Sequence, residues 1–96
     1  MIEIIDYGGD LGFHVALGKA YAVAGAHLKV LYCASACLLT LAQVPKANIC
    51  FSPSAWVGYH TPAQHRDEIG RCCVEDANTM RWVRGRDLIA KEYRRC

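Results

Sequence analysis

The sequence predicts one α/β domain, a short and mainly parallel sheet with helices packed on it. Three observations predict it. The 96 residues suffice for a single core and not for two. Hydrophobic residues make up 53% and charged residues 21%, a globular balance that excludes a disordered chain, a collagen-like chain or an acidic tail. Short β-branched runs alternate with helically spaced ones in the order strand, helix, strand, helix, strand, and such alternation folds through right-handed crossovers.

Each element has its own signal. Ile2-Glu3-Ile4-Ile5-Asp6 is rich in β-branched residues and reads as the first strand, broken by Tyr7-Gly8-Gly9-Asp10. From Leu11 the apolar and small residues recur as Leu11, Val15, Gly18, Ala22 and Gly25, which is helical spacing. Asp10 is the expected N-cap of that helix and Gly25 its stop. Residues 28–32 form a second strand, and Cys33-Ala34-Ser35-Ala36-Cys37 leads into a buried helix over 38–42 that Pro45 ends. Residues 48–51 and 55–59 are a third and a fourth strand. After Pro62 the composition turns polar and charged, and a last helix is expected over 76–94. Trp82, Leu88, Ile89 and Tyr93 would be its apolar side.

Several function classes drop out. A net charge of +2 is far from a nucleic-acid footprint, and the basic residues Arg81, Arg84, Arg86, Lys91, Arg94 and Arg95 read as a solvated helix face. Val30 to Pro45, the longest uncharged stretch, falls short of the roughly 20 apolar residues of a membrane span. The start carries Glu3 and Asp6 where a secretory leader carries Lys or Arg. The expectation is a cytoplasmic protein as written, or a periplasmic one if a leader has been removed. Neither the six cysteines nor His14, His27, His60 and His65 show zinc-ligand spacing, so no metal or other cofactor is expected. Cys37 and Cys50 lie in apolar runs and read as small buried hydrophobes. If the protein is exported, Cys50 with Cys96 is the first pairing expected, because it would fasten the terminus to the sheet.

Three features can carry chemistry: Gly8-Gly9 after the first strand, Ser35 at a strand-to-helix turn, and His60 past the fourth strand. Taken singly they are a turn, an N-cap and a loop histidine. Together they compose an acyl-transfer site. Backbone N–H groups beside Ser35 polarise a developing oxyanion, and a glycine turn supplies a second N–H that a substrate carbonyl can approach closely. A histidine ending a neighbouring strand accepts the serine proton.

The order Gly8-Gly9, helix, strand, Cys33-Ala34-Ser35-Ala36-Cys37, then His60-Thr61-Pro62 resembles the Clp protease proteolytic subunit. It is most similar to small bacterial ClpP-like proteins, often exported, with a Cys-x-Ser-Ala-Cys core. The interval from Ser35 to His60 is the one that family uses. The resemblance covers about residues 4–62, with 82–96 similar to the C-terminal end of the exported group. It implies a compact ClpP/crotonase-like domain over 1–96, with Ser35 as nucleophile, His60 as general base, and Gly8, Gly9 and Ala36 forming the oxyanion hole. Clp subunits are about twice as long and place the triad acid in a segment this chain lacks. Asp76 is the acid chosen here, from among Asp67, Glu68, Glu75 and Asp76.

The expected function is therefore a serine hydrolase of peptidase type acting on a peptide or protein substrate. The alternative is a non-catalytic protein-binding module on a trimmed ClpP-like scaffold, of phage or mobile-element origin. A crotonase-like acyl-CoA site shares the paired N–H hole but needs neither Ser35 nor His60. A homo-oligomer is expected, since so small a domain with apolar strands, Trp56 and Trp82 gains by burying surface against another copy.

Overall fold

The computed structural model describes residues 1–60, with the backbone alone at His60, and residues 80–96. Its elements are β1 (Ile2–Asp6), α1 (Leu11–Val23), β2 (Leu28–Ala34), α2 (Cys37–Gln43), a 3-10 turn (Lys46–Asn48), β3 (Ile49–His60), β4 (Met80–Arg84), α3 (Gly85–Ile89) and β5 (Arg94–Arg95). The sheet order is β1-β2-β3-β4, and β5 pairs with β3. All pairings are parallel except β3 with β4. The α/β class and the mostly parallel sheet are as the sequence predicts.

The first helix starts and stops as its sequence dictates. The Asp10 carboxylate accepts from Phe13 N–H at 2.7 Å, an N-cap that satisfies one orphan donor of the first turn. At the other end the N–H groups of Gly25 and Ala26 donate to the carbonyls of Ala22 and Tyr21, the paired bonds of a left-handed C-terminal cap. The buried face differs from the expected Leu11–Val15–Gly18–Ala22 stripe. Leu11 is exposed, and His14 and Gly18, one turn apart, are buried. A Cβ on Gly18 would sit 2.5 Å from the Thr40 carbonyl oxygen, so the missing side chain lets α1 and α2 approach. The core comprises Ile4, Leu28, Val30, Cys33, Cys37, Val44, Ile49, Phe51 and Val57, with Leu28 and Val30 fully buried.

Two expectations are corrected. The strands expected over 48–51 and 55–59 are one strand, β3. Its register on β2 slips, with Val30 opposite Phe51 and Tyr32 opposite Trp56, so Ser52-Pro53-Ser54 falls in the irregularity. A proline has no N–H for the ladder and is tolerated at such a slip without ending the strand. Of the helix expected over 76–94, the described part keeps only the short α3 at Gly85–Ile89. Residues 80–84 are β4, whose residues face β3 from Trp56↔Arg84 to His60↔Met80. Short-range apolar spacing cannot separate a strand from a helix here, and pairing with β3 decides for the strand. The α3 turn then leads to β5 beside the first part of β3.

Cys50 and Cys96 form a disulfide that closes the terminus onto β3, the pairing expected of an exported chain. Cys33 and Cys37 form a second one, across the turn that holds Ser35. Cys37 and Cys50 are thus buried, as expected, but bonded and not free thiols. Cys72 and Cys73 lie outside the described residues. No helix among the described residues is long and apolar enough to cross a membrane.

Candidate functional site

The C-terminal ends of β1, β2 and β3 are neighbours along one sheet edge, where open α/β sheets place their ligands. Gly8-Gly9 follows β1, Ser35 follows β2, and His60 ends β3. Ala34 pairs with Gly58, and the Ser35 N–H donates to the Gly58 carbonyl at 2.8 Å. The His60 backbone therefore lies two residues further along the adjacent strand, roughly 7 Å in strand rise. Nothing more is described of His60, and His65, Asp67, Glu68, Glu75 and Asp76 lie outside the described residues.

Ser35 has φ of 57°, the left-handed region that a non-glycine residue enters only when its surroundings hold it there. Three constraints hold it. Its N–H is bonded to β3, its carbonyl accepts from Leu38 N–H at 3.1 Å, and the Cys33–Cys37 disulfide spans it. The helix α2 begins immediately after, with Ala36, and not Ser35, as its N-cap.

Gly8 and Gly9 have φ of 95° and 139°, the positive values a glycine pair between strand and helix predicts. A Cβ on Gly8 would lie 2.8 Å from the Ala34 carbonyl oxygen, 2.9 Å from Ser35 Cβ and 3.3 Å from Ala36 N. The glycine loop and the serine turn are therefore in direct contact. The Gly8 N–H is engaged, donating to Asp6 Oδ1 at 2.8 Å. Among the described residues the N–H groups of Gly9 and Ala36 have no acceptor. Gly8 thus meets Ser35 and Ala36, with Gly9 next in the chain.

A residue the sequence reading set aside also borders the loop. His14 is 3% exposed, its Cε1 is 3.7 Å from where a Gly9 Cβ would be, and both ring nitrogens are bonded. Nδ1 donates to the Asp10 carbonyl at 2.7 Å, and Nε2 faces Asp6 Oδ2 at 3.1 Å and Oδ1 at 3.2 Å. The Asp10 carbonyl raises the imidazole pKa above its ordinary 6.5; burial opposes this, and the hydrogen bond and charge of Asp6, with the charge of Asp10, add to it. The available signal was the four-residue spacing of Asp10 and His14 at a helix start, with Asp6 just before the glycines.

Among the described residues no three of His, Cys, Asp and Glu converge in a metal-binding group. No family model, curated protein or solved structure matches the chain.

Proposed function

We propose that the chain is a serine hydrolase of peptidase type on a ClpP-like scaffold. Ser35 is the nucleophile, His60 the general base, and the N–H groups of Gly9 and Ala36 the oxyanion hole. The observation that carries this reading is the left-handed turn at Ser35, with Gly8 packed against it and the N–H groups of Gly9 and Ala36 without an acceptor among the described residues. A turn of this kind lifts a serine hydroxyl clear of its own helix, as nucleophile turns between strand and helix do.

In this reading Ser35 Oγ attacks the scissile carbonyl carbon as its proton passes to His60. The carbonyl oxygen, now an anion, takes hydrogen bonds from Gly9 and Ala36, interactions stronger in the transition state than before it. The intermediate collapses by expelling the amine, which receives the proton from His60. Water repeats the sequence on the acyl-serine and frees the acid. Gly8, whose N–H belongs to Asp6, contributes close approach and no donor. Asp76 or a backbone carbonyl fixes the His60 tautomer. Two disulfides are what an oxidising compartment sustains, which favours the exported branch of the resemblance.

The test is a fluorophosphonate probe. Labelling of the wild type that is lost in Ser35→Ala supports the hydrolase; a folded protein that does not label overturns it.

One observation favours the second reading, a non-catalytic binding module. Tyr7, Trp56 and Trp82 are 76%, 38% and 44% exposed and form an aromatic row with Tyr32, with the Arg84 guanidinium over Trp56. Exposed aromatics beside an arginine are characteristic of protein-binding surfaces, including those between copies of one chain. Light scattering of a Trp56→Ser, Trp82→Ser variant tests self-association through this row. A wild type that is already a monomer at micromolar concentration excludes it.

A further inference from the structure

We propose that the buried His14 and the half-buried Asp6 are a positioning pair that holds the Gly8–Gly9 loop in its oxyanion-binding geometry, and that it releases the loop when the imidazolium loses its proton. The inference rests on the proposed hydrolase for its functional meaning, but its structural part stands on bonds already described.

Asp6 is the hinge of the arrangement. One carboxylate serves two donors, the Gly8 N–H at 2.8 Å and the His14 Nε2 at 3.1 Å. The ring's other nitrogen reaches the Asp10 carbonyl at 2.7 Å, and the Asp10 carboxylate caps α1 at Phe13. The glycine loop is therefore tied at both ends to one imidazole. The His14 backbone is anchored to α2, because its carbonyl accepts from the buried Thr40 hydroxyl at 2.9 Å, and the Phe13 ring meets the imidazole edge-on. The charged groups facing the ring, among the described residues, are Asp6 from β1 and Asp10 from the loop; α2 presents only the uncharged Thr40.

Both acceptors are oxygens without a proton to give, so both contacts require N–H on the ring, and the doubly protonated imidazolium meets that requirement. This also excludes His14 as the base for Ser35, since neither nitrogen has a lone pair free. Deprotonation leaves one nitrogen lone pair facing an oxygen. A lone pair against Asp6 repels the carboxylate that fixes Gly8, and one against the Asp10 carbonyl frees the start of α1. Either change moves the Gly9 N–H, and small displacements of an oxyanion donor have large kinetic effects.

The first experiment follows the amide signals of Gly8 and Gly9 and the ring signals of His14 by NMR from pH 5 to 9, in the Ser35→Ala protein. The expected result is one shared midpoint, lying above 6.5 and lowered in Asp6→Asn. Glycine amides indifferent to the His14 titration overturn the proposal, whether or not the wild type is a hydrolase. The second measures the rate of fluorophosphonate labelling across the same range. His60 sets a rising limb and His14 a falling one, so His14→Gln should label roughly 10–100-fold more slowly at neutral pH and lose the falling limb. A falling limb that persists in folded His14→Gln assigns it to another group and overturns the proposal. A wild type that never labels refutes the hydrolase reading instead, and the NMR result then decides on the pair alone.

Discussion

Gly8 and Ser35 touch across the sheet edge, with a Cβ at position 8 falling 2.9 Å from the Ser35 Cβ. The contact joins two loops that are distant in sequence and consecutive along the edge, one after β1 and one after β2. Both residues have positive φ. Only one of them is a glycine, so the serine is held by its neighbours while the glycine makes the room.

Gly8→Ala should therefore destabilise the fold and disarm the serine together. Its Cβ would meet two backbone atoms and a Cβ within 3.3 Å in a conformation that L residues rarely adopt. A loss of roughly 2–4 kcal/mol in denaturant unfolding is expected, with labelling of Ser35 abolished. Unchanged stability would mean that the loop is free to move away from Ser35.

Ser35→Gly should stabilise the chain relative to Ser35→Ala, by about 1 kcal/mol, since glycine adopts the left-handed turn without a Cβ penalty. Urea unfolding of the two variants compares them directly, and neither should label. Equal midpoints would show that the turn relaxes out of the positive-φ region.

His60→Ala should abolish labelling and peptide hydrolysis, while His65→Ala leaves both largely intact. Assays of the purified variants read this out, and full activity in His60→Ala would leave the fold as a scaffold only.

Cys96→Ser removes the bond that fastens the terminus to β3. Closing so long a loop restricts the unfolded chain, and its loss should lower stability by about 2–4 kcal/mol. The comparison is thermal unfolding with and without reductant. The reductant effect on Cys96→Ser should be smaller than on the wild type, and an equal effect would place the stabilisation elsewhere.

Stability should also depend on pH through His14. Its pKa is raised in the folded chain, mainly by the Asp10 carbonyl, so its contribution is complete below the unfolded value of 6.5. It is then lost as pH rises through the higher folded value. Denaturant midpoints should fall across that window in the wild type and be flatter there in His14→Gln. Identical slopes would assign the dependence to another group.

The elements whose signals are local were legible in the chain. Asp10 caps the helix it precedes, Gly25 ends it, and Gly8 and Gly9 take positive φ, because capping and turn conformations are decided within a few residues. The same holds for the class of fold, which alternating strand and helix patterns express. Gly8, Gly9, Ser35 and Ala36 were named as a group from their order, and the contact of Gly8 with Ser35 and Ala36 required no residue that the sequence had hidden.

Tertiary structure alone decided the rest. Whether 80–84 is helix or strand depends on an open edge of β3, which offers unpaired backbone groups that a five-residue segment can satisfy only by pairing. Ser52-Pro53-Ser54 looked like a break and is a slip in one strand, because β2 continues alongside it. In the sequence His14 is one of four histidines without ligand spacing. It became a buried imidazole because Gly18 lets α1 sit close on α2, and the Asp6 and Asp10 oxygens offset the desolvation of a charged ring. Local sequence specifies backbone shape, whereas burial and charge pairing depend on which elements meet, and that is fixed only when the sheet closes over its core.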